Sequence, residues 1–186
     1  MILDQVFKNS DFTKVQSLDK EFENCTFVNC NFSGLNLSNI VFYDTNFDTC
    51  DMSNANLNNT SFQDVSFLNC KLLGLRFDAC KTFLLEFKFT DSSLNYSSFF
   101  GLKIPKTIFK NCNLTEVDFS EADLNNTNFE GSNLLGAMFS NTILEGADFR
   151  NTANFSIDPE LNYIRKAKFS SDSLFGLLYK YNLQIE

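Results

Sequence analysis

From Phe22 onward a large apolar residue returns at every fifth position. The count runs Phe22, Phe27, Phe32, Leu37, Phe42, Phe47, Met52, Leu57, Phe62, Phe67, Leu72 and Phe77, with Thr82 next in line. Two residues are then inserted, and the count resumes at Phe89 and continues through Leu94, Phe99, Ile104, Phe109, Leu114, Phe119, Leu124, Phe129, Leu134, Phe139 and Leu144 to Phe149. Period five suits neither regular element. On an α-helix, steps of about 100° leave successive large residues about 140° apart, so no stripe forms. On a long strand, residues five apart point to opposite faces. The conflict disappears if each five-residue unit is a short extended side followed by a corner, with the central residue and the residue two before it both pointing inward.

That inner partner position reads Cys25, Cys30, Leu35, Ile40, Thr45, Cys50, Ala55, Thr60, Val65, Cys70, Leu75 and Cys80 before the insertion, and continues with small or medium side chains after it. Small residues are what two inward rows sharing a narrow interior require. Spacing by twenty gives a column of Phe27, Phe47, Phe67, Phe89, Phe109, Phe129 and Phe149, allowing for the insertion, beside a column of Leu72, Leu94, Leu114 and Leu134. Homogeneous columns mean four units per coil, stacked at about 4.8 Å. The expected fold is therefore all-β, a square β-solenoid of about 7–8 coils; from Phe27 to Phe149 it is ~34 Å long. Phe7 and Phe12 share the register.

All six cysteines, Cys25, Cys30, Cys50, Cys70, Cys80 and Cys112, fall in one phase of the repeat. Packing explains a fixed phase, because Cys behaves as a small hydrophobe. Zinc is disfavoured, since the chain has no His and no CxxC pair. Cys30, Cys50 and Cys70 should stack at a spacing inside the disulfide window, yet parallel inward side chains and a reducing compartment favour free thiols. No metal and no cofactor is expected.

Absence of His also removes the usual general base. No Gly-rich phosphate loop, H-E-x-x-H or Ser/His/Asp set occurs, and the carboxylate pairs lie on outer faces without a pocket, so the chain is read as a non-enzyme. The start lacks a signal-peptide pattern and no long apolar run suggests a membrane span, which makes a cytoplasmic location the expectation. With a net charge of −8, direct nucleic-acid binding is not expected.

FSEADL (119–124), NANL (54–57) and EGADF (145–149) resemble the loose A(D/N)LXX consensus of the pentapeptide-repeat family, over about residues 20–152. The resemblance implies a right-handed quadrilateral β-helix. Past Phe149 the register fades, which divides the chain into a solenoid over residues 1–152, interrupted near 82–88, and a C-terminal cap over 153–186.

In the tail, SSDSLFGLLYKYN (170–182) reads as a short C-terminal α-helix, N-capped by Ser171 or Asp172. Leu174, Leu177, Leu178 and Tyr181 form its apolar stripe, extended by Leu183 and Ile185. A solenoid must close its open end, so this segment is either a cap alone or a cap that also dimerises. The tail is similar to the ends of Qnr-type quinolone-resistance proteins, which implies a twofold homodimer through the helix.

The insertion, KTFLLEFKF (81–89), is either a bulge that re-aims the coil or a projecting loop in which Phe83, Leu84 or Leu85 touches a partner.

Charge is banded. Residues 21–70 and 111–149 carry acids and no Lys or Arg, while Lys71, Arg76, Lys81, Lys88, Lys103, Lys106 and Lys110 lie between them. Glu21, Glu23, Asp44 and Asp64 fall on or beside one side of the square. Asp118, Glu121, Asp123 and Glu145 gather near that side and its preceding neighbour, with Glu116 in the same band. Acids on outward positions either serve solubility or imitate the phosphate rows of DNA. The Qnr-type resemblance implies the second role: a dimeric rod on the DNA-binding surface of DNA gyrase or topoisomerase IV that modulates quinolone sensitivity. The alternative is a scaffold solenoid with a different protein partner.

Overall fold

A computed structural model describes residues 1–15, 18 and 20–184. The chain winds as a four-sided coil of about eight turns, and every strand pairing in it is parallel. The strands are β1 (Ile2–Leu3), β2 (Val6–Lys8), β3 (Glu21–Glu23), β4 (Thr26–Val28), β5 (Val41–Asp48), β6 (Ser61–Leu68), β7 (Phe87–Thr90), β8 (Ile108–Lys110), β9 (Asp148–Phe149) and β10 (Lys168–Phe169). Registers step by twenty, as in Phe22↔Phe42 and Phe42↔Phe62. β10 on β9 carries the coil to Phe169.

The four faces are conveniently lettered by their central columns. Face A carries Ile2, Phe22, Phe42, Phe62, Ile104, Leu124 and Leu144; face B carries the phenylalanines from Phe7 to Phe169. Face C starts at Phe12 and continues through Phe32, Met52 and Leu72. Face D holds Leu37, Leu57, Phe77, Phe99, Phe119 and Phe139. In face B, nine rings stack at centroid spacings of 4.8 to 5.4 Å with planes within 4 to 13°. Rings of neighbouring columns meet edge to face, Phe109 and Phe119 at 5.5 Å for example. Such aromatic pairs add roughly 0.5–1.5 kcal/mol each beyond simple burial.

Corners explain the abundance of Asn. The residue two after most centres sits in the left-handed region, the 3-10 turns after Phe12 and Phe77 excepted. Asn occupies more than half of the non-glycine positions with positive φ, Asn29 (51°), Asn59 (59°) and Asn111 (53°) among them. Asn tolerates this conformation better than other residues with a side chain. Its amide also bonds the corner one coil away, Asn29 Nδ2 donating to Asn9 Oδ1 at 2.7 Å and Asn59 Nδ2 to Asn39 Oδ1 at 2.6 Å. A second local device sits one residue before the centre, where Asp or Asn accepts the N–H two residues on, as in Ser53 N to Asp51 Oδ1 at 2.9 Å. This Asx turn gives the (D/N) of the consensus its structural meaning.

All six cysteines are buried free thiols. Cys25, Cys30, Cys50 and Cys70 do more than fill space, each reaching a carbonyl of the coil before: Cys50 Sγ donates to Phe27 O at 3.3 Å and Cys70 Sγ to Phe47 O at 3.4 Å. Thr60 Oγ1 donates to Leu37 O in the same manner at 2.8 Å. Cys, Ser and Thr at many places on this phase thus share one function, tying a coil to the carbonyl of the coil before. Burial pushes the Cys112 thiol up to about 12 and raises Cys80 as well, which keeps both protonated.

The insertion is visible as a register change. Asp51↔Lys71 and Ser93↔Asn113 step by twenty, whereas Lys71↔Ser93 and Arg76↔Ser98 step by twenty-two. Thr82 does not serve as a core centre, as the five-residue count expects; it is exposed. The chain leaves the coil after Lys81, whose N–H bonds Thr60 O, and returns at Glu86, whose N–H bonds Phe62 O. Phe87 then takes the inward place opposite Val65, its ring 5.6 Å from Phe62 and 5.1 Å from Phe77. An aromatic side chain here fills the volume left by the missing rung of face A.

The tail is helical but not α-helical. Ser171–Leu177 and Tyr179–Tyr181 are 3-10 turns, closed by bonds such as Leu178 N to Phe175 O at 2.9 Å. Segments this short gain little from α-helix cooperativity. Tertiary contact sets the path, because Gly176 O accepts from Ile157 N at 3.0 Å and a Cβ on Gly176 would lie 2.5 Å from the Phe155 ring. The N-cap is Ser170, without a side-chain bond, rather than Ser171 or Asp172. Ile185 lies outside the described residues. No helix among the described residues is long and apolar enough to cross a membrane.

Candidate functional site

Because the interior is filled, function must reside on outward positions. Glu21 and Glu23 flank the Phe22 centre on β3, and their register partners on β5 are Val41 and Tyr43. Asp44 and Asp64 occupy the corner between faces A and B, with φ of 46° and 52°. Asp4, at φ 54°, begins the same corner column. The twenty-residue step from Asp64 back through Asp44 and Asn24 would have identified it. The structure therefore brings Glu21, Glu23, Asp44 and Asp64 together on one flank, with Asp4.

The second acidic group is more dispersed. Glu116 stands at the corner between faces C and D, Asp118 on face D, Glu121 at the D–A corner, and Asp123 and Glu145 on face A. Asp118 and Asp123 are half-buried, and each accepts an N–H of its own turn, from Ser120 at 2.9 Å and Asn125 at 3.1 Å. Their carboxylates are partly spent on the fold. Glu145 lines a shallow hollow of about 390 Å³ with Arg165 and Lys166, so its field is offset locally.

Between the acidic groups the bases form a belt rather than a face. Lys71 lies on face C, Arg76 on D, Lys81 and Lys103 on A, Lys106 at the A–B corner, and Lys88 and Lys110 on B. Arg76 is paired with Asp78, and that pairing holds the Asp78 carboxyl below its usual range against the opposing effect of burial. The lysines of the belt are exposed.

At the insertion, Phe83 and Leu84 are 73% and 62% exposed, whereas Leu85 turns back and packs against the core. The three expected contact residues are thus two at the tip and one anchor. In the tail, Leu174, Leu178, Tyr181 and Leu183 are exposed, but Leu177 packs inward. The stripe drawn at α-helical spacing is redistributed by the 3-10 winding: Phe175, Leu178 and Tyr181 line up three apart, and Tyr179 is 77% exposed. Phe175 and Tyr179 were absent from that stripe. Phe175, Leu178, Tyr179 and Leu183 border an open groove of about 450 Å³. Lys180 clasps the tail to the coil, 2.8 Å from Asp158 and 2.7 Å from Glu160. No group of three or more His, Cys, Asp or Glu able to hold a metal occurs among the described residues.

A filled four-sided solenoid of five-residue sides, with αL corners and a charged exterior, defines a repeat protein whose working parts are surfaces. Family models described as a pentapeptide repeat region and as pentapeptide repeats (8 copies) match residues 20–99 and 112–151. The chain belongs to the pentapeptide-repeat family. Among solved structures it is similar to a trypsin-treated form of QnrB1, a plasmid-mediated fluoroquinolone resistance protein, at 17% identity over 99% of each chain with a TM-score of 0.67. It is also similar to HetL, a pentapeptide repeat protein involved in heterocyst differentiation regulation from the cyanobacterium Nostoc sp. strain PCC 7120, at 14% identity over 90% of this chain and 86% of that one, with a TM-score of 0.58. At these identities the likeness establishes the fold. No curated protein matches the sequence.

Proposed function

We propose that the protein is a non-enzymatic binding protein whose acidic flank takes the place of DNA on a type II topoisomerase, DNA gyrase or topoisomerase IV, and so modulates quinolone sensitivity. The observation that carries this reading is the linear density of charge on the flank of face A. Asp4, Glu21, Glu23, Asp44 and Asp64 span four coils, or ~14 Å at the strand spacing, which is about one carboxylate per 3 Å. One strand of duplex DNA presents a phosphate about every 3.4 Å. A groove lined with Lys and Arg would receive the two rows in a similar way. The overall likeness to QnrB1, which is named for fluoroquinolone resistance, supports the choice of enzyme.

The exposed apolar tail supplies a homodimer contact in this proposal, with Leu174, Leu178, Tyr181 and Leu183 facing a twofold copy. In high salt, where the charges are screened, Leu178→Glu is expected to convert a dimer to a monomer in sedimentation; an unchanged mass there would remove the tail as an interface. The belt of lysines favours a second reading, a scaffold with a protein partner of mixed charge, because a uniform DNA mimic has no use for it. Titrating purified protein into a gyrase supercoiling assay, with and without quinolone, separates the two. Inhibition or protection supports the first reading, and indifference at every ratio supports the scaffold.

A further inference from the structure

Face A also carries a knob and a hollow. The knob is the insertion, where Phe83 and Leu84 project and Leu84 is held at φ 54°, a conformation unfavourable for a leucine. The hollow is a shallow depression of about 300 Å³ whose lining includes Phe22, Val41, Tyr43 and Gln63, with Glu21 and Glu23 among its walls. Its lining is mostly apolar and includes Met1, and Met1, Tyr43 and the nearby Leu3 are exposed side chains around it. Knob and hollow lie on the same face, two to three coils apart, or ~10–14 Å along the axis.

Charge is arranged to match. Lys81 precedes the knob, and Lys103 and Lys106 lie on the next coil beyond it; Glu21 and Glu23 border the hollow, and Asp4 lies on the coil before it. A twofold axis lying in the plane of contact, perpendicular to the coil axis and midway between knob and hollow, brings each feature opposite its complement. The insertion coil then faces the Glu21–Glu23 coil, and the Lys103–Lys106 coil faces the coil of Leu3 and Asp4. Such self-complementarity is what an isologous contact requires. Facing sheets sit about 10 Å apart, which leaves room for a projecting aromatic ring. A flat anionic membrane would meet the acids on either side of the belt and be repelled.

We propose that face A is a self-association surface, in which Phe83 and Leu84 of each copy enter the hollow of an antiparallel second copy while Lys81, Lys103 and Lys106 pair with its Glu21, Glu23 and Asp4. This contact is separate from the tail and would hide part of the acidic flank from any basic partner.

The test is sedimentation of the full chain carrying Leu178→Glu, which disables the tail. At low salt this protein is expected to dimerise with concentration, and to dissociate in high salt or on Phe83→Asp. In the same background, Glu21→Lys with Glu23→Lys should be monomeric, and so should Lys81→Glu with Lys103→Glu and Lys106→Glu. Mixing the two variants should restore a dimer, because both halves of the mixed contact are again opposite in sign; this also shows that each variant is folded. A parent that stays monomeric at every concentration overturns the proposal. So does a dimer indifferent to these charges, a mixture that fails to associate, or binding to anionic vesicles in place of self-association.

Discussion

A corner residue in this fold has two duties, to adopt a left-handed backbone and to reach the corner one coil away. Asn59 performs both, at φ 59° and with its amide 2.6 Å from Asn39 Oδ1. Asn59→Val should therefore lower stability by about 1–2 kcal/mol from backbone strain alone, whereas Asn59→Gly should stay within about 1 kcal/mol of the parent because Gly adopts the conformation freely. Urea unfolding with an unchanged slope would measure both; equal losses for Val and Gly would mean that the corner geometry is not what Asn supplies. The inward residues were legible in the sequence because apolar side chains repeat at a fixed phase. The corner role of Asn was not, since polar residues at outward positions give no contrast to count. The phase of the cysteines announced packing, but their S–H donors depend on carbonyls a coil away and leave no local signature.

The insertion and the tail are the elements where the repeat gives way, and there the reading from sequence was coarser. A two-residue slip was countable between Phe77 and Phe89. Which residue replaced the lost rung was not, because Phe83, Leu85 and Phe87 are all apolar and only the interior volume selects Phe87. Leu174, Leu178 and Tyr181 were visible as apolar, yet the spacing of a stripe cannot separate α from 3-10 winding over so few residues. Close approach of Gly176 to Phe155 decides it.

The clasp at Lys180 gives this element a pH dependence. Hydrogen bonding and attraction to Lys180 hold the Asp158 and Glu160 carboxyls below their ordinary values. A depressed carboxylate contributes stability above its unfolded pKa and loses it as pH falls through the folded value. Docking should thus be full at neutral pH and decline as the solution is acidified below about pH 4. Hydrogen exchange of residues 170–184 across that range would follow the release. In Lys180→Met the acid-dependent step should vanish; its persistence would place the titrating group elsewhere.

For the whole molecule, the bands of charge in the chain become layers along a rod, because each coil uses about twenty residues and advances only ~4.8 Å. The flank of face A was legible by simple modular counting, which placed Glu21, Glu23, Asp44 and Asp64 together. The later group was less so: half-burial of Asp118 and Asp123 in their own turns, and the neighbours of Glu145, emerge only in three dimensions. An electrostatic mimic should weaken with salt and with lost carboxylates, while a scaffold bound through apolar contacts should not. Gyrase supercoiling titrated at low and moderate salt with the parent protein, and with Glu21→Gln, Glu23→Gln, Asp44→Asn and Asp64→Asn combined, measures this directly. The replacement Asn residues keep the αL corners, so the fold is preserved. The account predicts an effect of the parent that declines with salt and is largely lost in the neutralised variant; an effect that neither salt nor neutralisation diminishes would contradict it.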